Sequence, residues 1–462
     1  MMVSSNWFCL ILVTGLATLL KISPTFTIAS CVSSEAAPEG GGDSSYVGTI
    51  VGTRGRGQYL VMLELGSPPS PFAAILDTGS DLLWRQCLPC SPSCYPQSSL
   101  PASVRQCAGA PTSRYSCRRE VRGAAESSCY NSSASDMRIF DPTSSSSYAA
   151  ADCSDPACLS FSRKCNTSAE VCTYHIVYIA PSAFTRGILS YDTLSILDPL
   201  DRHYASIPRF IFGCSHSSRA PYNFAGAGGI AGFGRGPLSL PSQLNISRFS
   251  YCLGAFNDTT NSPTPLLMGD AAILGGHGDE IQSTAIVPHV DYDYVVQIEA
   301  IRVDGRKLAI PTSSLGLNLT GIISTSTTHA GIVFDSGTTF THLPYPAFIA
   351  LRAAFSSAIA MSPSLLKPRN LSLCYQSEPI DLPSLSFDFL GASMDLPRQN
   401  YFISIDGVFC LAFMESSDEL SILGNVQQQN YHILYNLQEN TLSFKQERCN
   451  SLLRRWRANH RM

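Results

Sequence analysis

The chain has 462 residues, more than one ordinary hydrophobic core accommodates, which favours two lobes. Charged residues make up only 14%, the formal net charge is −4 and the isoelectric point is near 6.1, values that argue against a nucleic-acid-binding surface. Seventeen cysteines point to an oxidising compartment.

An apolar run over residues 7–20 is short for a membrane span and suits a secretory leader, although no basic flank precedes it. Ile28-Ala29-Ser30 offers a cleavage site, so residues 1–30 read as a signal peptide, with an uncleaved anchor as the alternative. Residues 31–56 are Gly- and Ser-rich and read as a short pro-segment or disordered lead-in. Order is expected from Gly57, where Tyr59, Val61, Leu63 and Leu65 alternate as in a half-buried strand. Gly66-Ser67-Pro68-Pro69 then turns the chain into an apolar strand over 72–76 that ends at Asp77. Further short β-rich runs lie at 173–178, 210–212, 294–303, 408–413 and 431–444, punctuated by turns such as Asp304-Gly305 and Asp406-Gly407. Helix is scarce, with residues 345–360 the best candidate. The organisation is a first lobe over 57–244, a second over 245–449 and a basic disordered tail over 450–462. Glycosylation sequons begin at Asn131, Asn166, Asn245, Asn257, Asn318 and Asn370, and with the leader and the cysteines they favour export.

The chemistry sits in a motif that occurs twice, Asp77-Thr78-Gly79-Ser80 and Asp335-Ser336-Gly337-Thr338, each copy following an apolar strand. One chance copy is expected in roughly one chain in fifty of this length, and alone it would be a plain glycine turn. Two copies in matching contexts, one per half, imply paired carboxylates. Such a pair in a desolvated cleft cannot both ionise comfortably, and so holds one proton over an acidic window. One Asp then serves as general base for a water and the other as general acid towards a peptide carbonyl. Gly79 and Gly337 permit close backbone approach, and the hydroxyls of Thr78, Ser80, Ser336 and Thr338 are expected to fix the carboxylates. Two apolar-apolar-Gly runs, Gly229-Ile230-Ala231-Gly232 and Ile422-Leu423-Gly424, would let a strand pass beneath each Asp loop, or are ordinary strand ends.

Several longer stretches carry a resemblance. They run over 59–69, 75–87, 232–244, 248–253, 334–339 and 422–430, and include Ile75-Leu76-Asp77-Thr78-Gly79-Ser80-Asp81-Leu82-Leu83-Trp84. From about Gly57 to Cys449 the chain resembles the pepsin-type aspartic proteases, in particular their atypical plant, nepenthesin-like branch. The resemblance implies a mainly β, bilobal pepsin-like fold, with two β-barrel-like lobes flanking a central substrate cleft. It implies a catalytic dyad of Asp77 and Asp335, a flap tyrosine at Tyr178 and a Trp84 that orients it. It also implies six disulfides: Cys87–Cys90, Cys94–Cys214, Cys153–Cys172, Cys158–Cys165, Cys252–Cys449 and Cys374–Cys410. A zinc site at Cys87, Cys90 and Cys94 is the competing reading, which secretion disfavours.

Two stretches depart from that pattern. An insert over 98–138 brings Cys107, Cys117 and Cys129, an odd number, which leaves one thiol over unless Cys31 is retained or the chain dimerises. Retained intron sequence explains the insert equally well. The flap reads Tyr178-Ile179-Ala180-Pro181-Ser182, without the family's tip glycines, which should stiffen it. His175, nearby, reads as an ordinary strand histidine. The expectation is a secreted, or alternatively vacuolar, monomeric endopeptidase acting on protein or peptide substrates at acidic pH. It should need no metal or cofactor, bind no nucleic acid, and keep no membrane anchor after leader cleavage. The alternative is a catalytically silent binding or inhibitor glycoprotein on the same fold.

Overall fold

Short runs of β-branched, leucine and aromatic residues build a molecule made mainly of strands. A computed structural model describes residues 44–459, less 98–138, 319–329 and shorter intervals at 54, 92, 96, 162–163, 167, 179–182, 198–203, 259–261, 276–279, 289–292, 312–313, 316 and 418–419. The leader, the insert with its three cysteines, Asn131 and the tip of the flap lie outside the described residues.

Among the described residues the largest sheet has fifteen strands and draws on both halves of the chain. Tyr46–Gly52 pairs on one side with Tyr59–Leu65 and on the other with Thr264–Met268, so first-half and second-half strands share one hydrogen-bonded layer. A nine-stranded sheet, with Val295–Val303 and Ala330–Phe334 in it, and a three-stranded one complete the second half. The strand Ser70–Asp77 is covered on both faces, with Phe72, Ala73, Ala74 and Leu76 fully buried. Tyr59–Leu65 is likewise buried on both faces, although its alternation suggests one wet face, because it lies inside this sheet with cover on each side. Each Leu or Phe buried this way contributes about 1.5–3 kcal/mol. Helix is confined to a few segments. Tyr345–Ala358 ends two residues short of its expected limit and turns Ala347, Phe348, Leu351 and Phe355 inward.

Both chain ends of the described region differ from expectation. Within the segment expected as a short pro-segment or disordered lead-in, Tyr46–Gly52 is a strand rather than disordered, with Val47, Ile50 and Val51 buried. The segment expected as a disordered tail is the helix Cys449–Asn459, held because Leu453 is buried and Trp456 packs against the cluster of Val47, Leu267 and Ala272. Composition in the first segment and charge in the second hide the few apolar residues that tie each down. Of the sequon asparagines, Asn166, Asn245, Asn257 and Asn370 are exposed, and the Asn257 amide donates to the Ser404 carbonyl at 2.9 Å.

Four of the six implied disulfides are re-paired. Strand Trp84–Gln86 runs parallel to Tyr204–Arg219 with Arg85 opposite Cys214, and the Cys87 N–H donates to the Ser215 carbonyl at 2.8 Å. That register sets Cys87 against Cys214, Cα to Cα 5.4 Å, and leaves Cys90 to Cys94. These bonds replace Cys87–Cys90 and Cys94–Cys214. Cys158, on the helix Pro156–Phe161, and Cys172 are both buried towards the core and pair. Cys165, exposed on the other hairpin strand, pairs with Cys153, so Cys153–Cys172 and Cys158–Cys165 do not form. Cys252 joins Cys449 and Cys374 joins Cys410.

Non-reducing peptide mapping should therefore recover Cys87 linked to Cys214 and Cys158 linked to Cys172. Recovery of Cys87 linked to Cys90 would contradict the parallel register of the Trp84–Gln86 strand. Replacing Cys252 and Cys449 together by Ser should cost about 5 kcal/mol by chain entropy, given the 197-residue separation.

Candidate active site

Each Asp loop leaves the end of a strand and rests on a second strand running beside it. Asp77 ends Ser70–Asp77, with Gly232 of the parallel strand Gly229–Gly232 in register beside it. The Phe233 N–H donates to the Asp77 carbonyl at 2.7 Å, and the Gly234 N–H to the Ser80 carbonyl at 2.9 Å. In the second half Ala330–Phe334 pairs in parallel with Ile422–Leu423, and the Asp335 N–H donates to the Leu423 carbonyl at 3.2 Å. The supporting strands must be bare at these points. A Cβ on Gly232 would lie 2.2 Å from the Asp81 backbone, and one on Gly424 2.5 Å from that of Phe340.

The loops then clasp one another. The Thr78 hydroxyl donates to the Phe334 carbonyl at 2.9 Å and accepts the Ser336 N–H at 2.9 Å. Ser336 mirrors it, donating to the Leu76 carbonyl at 2.9 Å and accepting the Thr78 N–H at 3.1 Å. The Thr78 and Ser336 hydroxyls therefore do not fix the carboxylates, as their place in the motif suggests. Being fully buried, they join two backbones instead.

The carboxylates are held by the other pair. Ser80 Oγ donates to Asp77 Oδ2 and Thr338 Oγ1 to Asp335 Oδ2, both at 2.5 Å. The backbone N–H groups of Gly79 and Gly337 donate to the Oδ1 atoms of Asp77 and Asp335, at 3.1 and 2.7 Å. The two sides approach so closely that a Cβ on Gly337 would lie 2.2 Å from Asp77 Oδ1, and one on Gly79 2.9 Å from Asp335 Cγ. Burial and then the charge of Asp335 push the Asp77 carboxyl well above its ordinary range. The pair therefore keeps one proton to higher pH than an isolated Asp would.

Residues not singled out for chemistry brace the second loop from below. Gln428 Nε2 donates to the carbonyls of Asp335, at 3.1 Å, and Leu423, at 2.8 Å, while its Oε1 accepts from the Tyr251 hydroxyl at 2.6 Å. The Tyr251 and Tyr435 hydroxyls meet at 2.7 Å, and burial keeps both phenols protonated. Asn425 Nδ2 bridges the carbonyls of Ser336, at 3.0 Å, and Gly57, at 2.7 Å. The available signal was a run of amides, Asn425 to Gln429, following an apolar strand: fully buried, such a run must spend its hydrogen bonds on backbone.

Above the dyad, the hairpin of Val171–Val177 and Phe184–Leu197 carries Tyr178 at its end, half-buried. Trp84 Nε1 donates to the Tyr178 hydroxyl at 2.7 Å, and Phe224 packs edge-on against both rings. Burial and the nearby Asp77 hold the Tyr178 phenol protonated. His175 is exposed on the same hairpin, its ring edge-on to Phe184. Asp81 lies buried beneath the first loop, accepting the Gly236 N–H at 2.9 Å. Burial pushes its carboxyl up to about 6, the Gly236 N–H opposes the rise and the charge of Asp293 adds to it.

Two Asp-hydroxyl-Gly loops, clasped across the halves of a mainly β chain beneath a tyrosine hairpin, define a pepsin-like architecture with an aspartic-protease-type site. Residues 59–270 match a family model described as Xylanase inhibitor N-terminal, and residues 293–446 one described as Xylanase inhibitor C-terminal. Aspartic proteinase nepenthesin-1 of Nepenthes gracilis is 32% identical over 400 residues, covering 86% of this chain and 79% of its own. Aspartyl protease family protein 2 of Arabidopsis thaliana is 31% identical over 428 residues, 89% of this chain and 75% of its own. The crystal structure of Basic 7S globulin from soybean superposes with a TM-score of 0.64 at 18% identity, covering 89% of this chain and 99% of that one. The chain belongs to the pepsin-type aspartic protease family, in its plant nepenthesin-like branch.

Thr78→Ala and Ser336→Ala should each cost about 2–4 kcal/mol, because two hydrogen bonds are lost and a buried carbonyl and a buried N–H are stranded. In urea unfolding the double variant should lose less than the sum of the singles, since both act on one clasp. Asp81 sets a separate expectation. Its folded value of about 6 exceeds the ordinary 3.8, so its contribution is fully present below about 3.8 and lost as pH rises through about 6. Asp81→Asn should flatten the loss of stability between those values, by up to about 2–3 kcal/mol at neutral pH. Identical pH–stability curves for parent and variant would contradict this.

Proposed function

We propose that the protein is an exported aspartic endopeptidase in which Asp77 and Asp335 hydrolyse peptide bonds at acidic pH. The observation that carries this reading is the near-twofold set of hydrogen bonds: each carboxylate takes one hydroxyl on Oδ2 and one backbone N–H on Oδ1. Those donors hold the two groups in fixed orientation while the proton they share remains free to move between them. A water held between the pair loses a proton to the ionised Asp as it attacks the carbonyl carbon. The other Asp gives its proton to the carbonyl oxygen, and the resulting intermediate collapses with protonation of the leaving amine. The donated Trp84–Tyr178 hydrogen bond fixes the hairpin side of the site, where a bound peptide backbone would be covered. Relatives named as aspartic proteinases support the reaction class. The six disulfides and the exposed sequon asparagines support export, and among the described residues no helix is long and apolar enough to cross a membrane.

A second reading, a binding or inhibitor protein without turnover, draws on the description of the matching family models as xylanase inhibitor and on Ile179 and Pro181 in the flap. Both catalytic carboxylates and all four of their donors are present, which favours the enzyme.

Cleavage of a denatured protein should follow a bell-shaped acidic profile. It should fade as pH rises through the upper apparent pKa of the pair, because the proton needed by the general acid is then gone. Asp77→Asn and Asp335→Asn should each lower kcat by roughly a thousandfold or more, with folding retained. Tyr178→Phe should act more mildly, on rate and peptide preference. Absence of any cleavage by the folded parent across the acidic range would shift the assignment to the binding protein.

A further inference from the structure

The helix Cys449–Asn459 ends the described chain as an amphipathic cap on the large sheet. Its first residue is bonded to Cys252, Leu453 is buried, and Trp456 packs against the Val47, Leu267 and Ala272 cluster. An isolated helix of this length is marginal, so these contacts hold it in place. What it turns outward is cationic: Arg448, just before the helix, and Arg454 and Arg455 within it are all exposed. Residues 445–462 contain six Lys or Arg and one Asp or Glu, a local charge of +5 in a chain of net −4, which leaves −9 on the rest. The one acid, Glu447, accepts from Arg455 at 2.6 Å and lies 3.5 Å from Lys445.

We propose that this helix is a docking surface for a carboxylated polysaccharide, a polyuronate chain lying across Arg448, Arg454 and Arg455. The guanidinium fork suits a carboxylate bidentately. Within the helix Leu453 is buried and Leu452 and Trp456 are half-buried, which leaves little apolar surface to enter a lipid bilayer. A repeating carboxylate polymer needs only a short row of cations and gains from weak, repeated contacts. The site lies on the disulfide-anchored end of the chain and does not depend on the dyad, so it stands or falls separately from the proteolytic reading.

Affinity electrophoresis of the full-length protein in gels holding polygalacturonate, at mildly acidic pH and low salt, tests the assignment. Retardation relative to a gel with a neutral glucan is expected, and added salt should abolish it. The triple variant Arg448→Gln, Arg454→Gln, Arg455→Gln, checked by thermal melting to be folded, should bind roughly tenfold more weakly, each exposed pair being worth a few-fold. Glu447→Gln should tighten binding by releasing Arg455, a gain that a merely structural role for the helix would not produce. Unchanged retardation of the triple variant, or no retardation of the parent, would overturn the proposal. So would tighter binding to anionic phospholipid vesicles or duplex DNA than to polygalacturonate at equal salt.

Discussion

Everything at the candidate site depends on two hydroxyls that never touch a carboxylate. Thr78 and Ser336 each donate to the opposite strand end and each accept the opposite N–H. Four buried hydrogen bonds therefore fix the spacing of residues more than 250 positions apart in the chain. Without that clasp, two buried carboxylates would repel each other and separate. With it, the repulsion is converted into a raised affinity for one proton, which is what the chemistry requires. The motif thus divides its labour by position: the second residue joins the loops, the third allows close approach, and the fourth orients the acid.

Much of this could be read from residue order. The doubled Asp-hydroxyl-Gly-hydroxyl motif after an apolar strand located both loops, and period-two patterning placed most strands and the one long helix. Less legible was anything decided by which face a residue turns. Cys87 and Cys158 each had several cysteines within reach in sequence. The choice was made by a parallel register in one case and by inward orientation in the other, neither of which leaves a local trace. The same reason hid the brace beneath Asp335. Nothing in a run of glutamines says which one lies under an Asp loop until Tyr251, from a distant strand, is placed against it. The roles of Thr78 and Ser336 are hidden for a related reason, since a hydroxyl's partner across the molecule is set by the meeting of two loops.

The two halves are not independent bodies joined by a tether. Strands of both belong to one layer, and Asn425 of the second half bonds the Gly57 carbonyl of the first while supporting Ser336. Small relative shifts of the halves would have to break backbone hydrogen bonds, and the hairpin beside the two Asp loops is tied down as well. Its tyrosine is anchored through Trp84, and its anchor ring Phe224 belongs to the short 3-10 segment Pro221–Gly226.

The strand Tyr46–Gly52 carries a consequence for how a mature chain could be produced. It lies between Thr264–Met268 and Tyr59–Leu65, and its loss would leave two open edges inside the layer on which both Asp loops rest. A processing protease trimming the amino-terminal region could cut safely only ahead of Tyr46. Any cut between there and Gly57 would sever from the chain the strand that bridges its two halves.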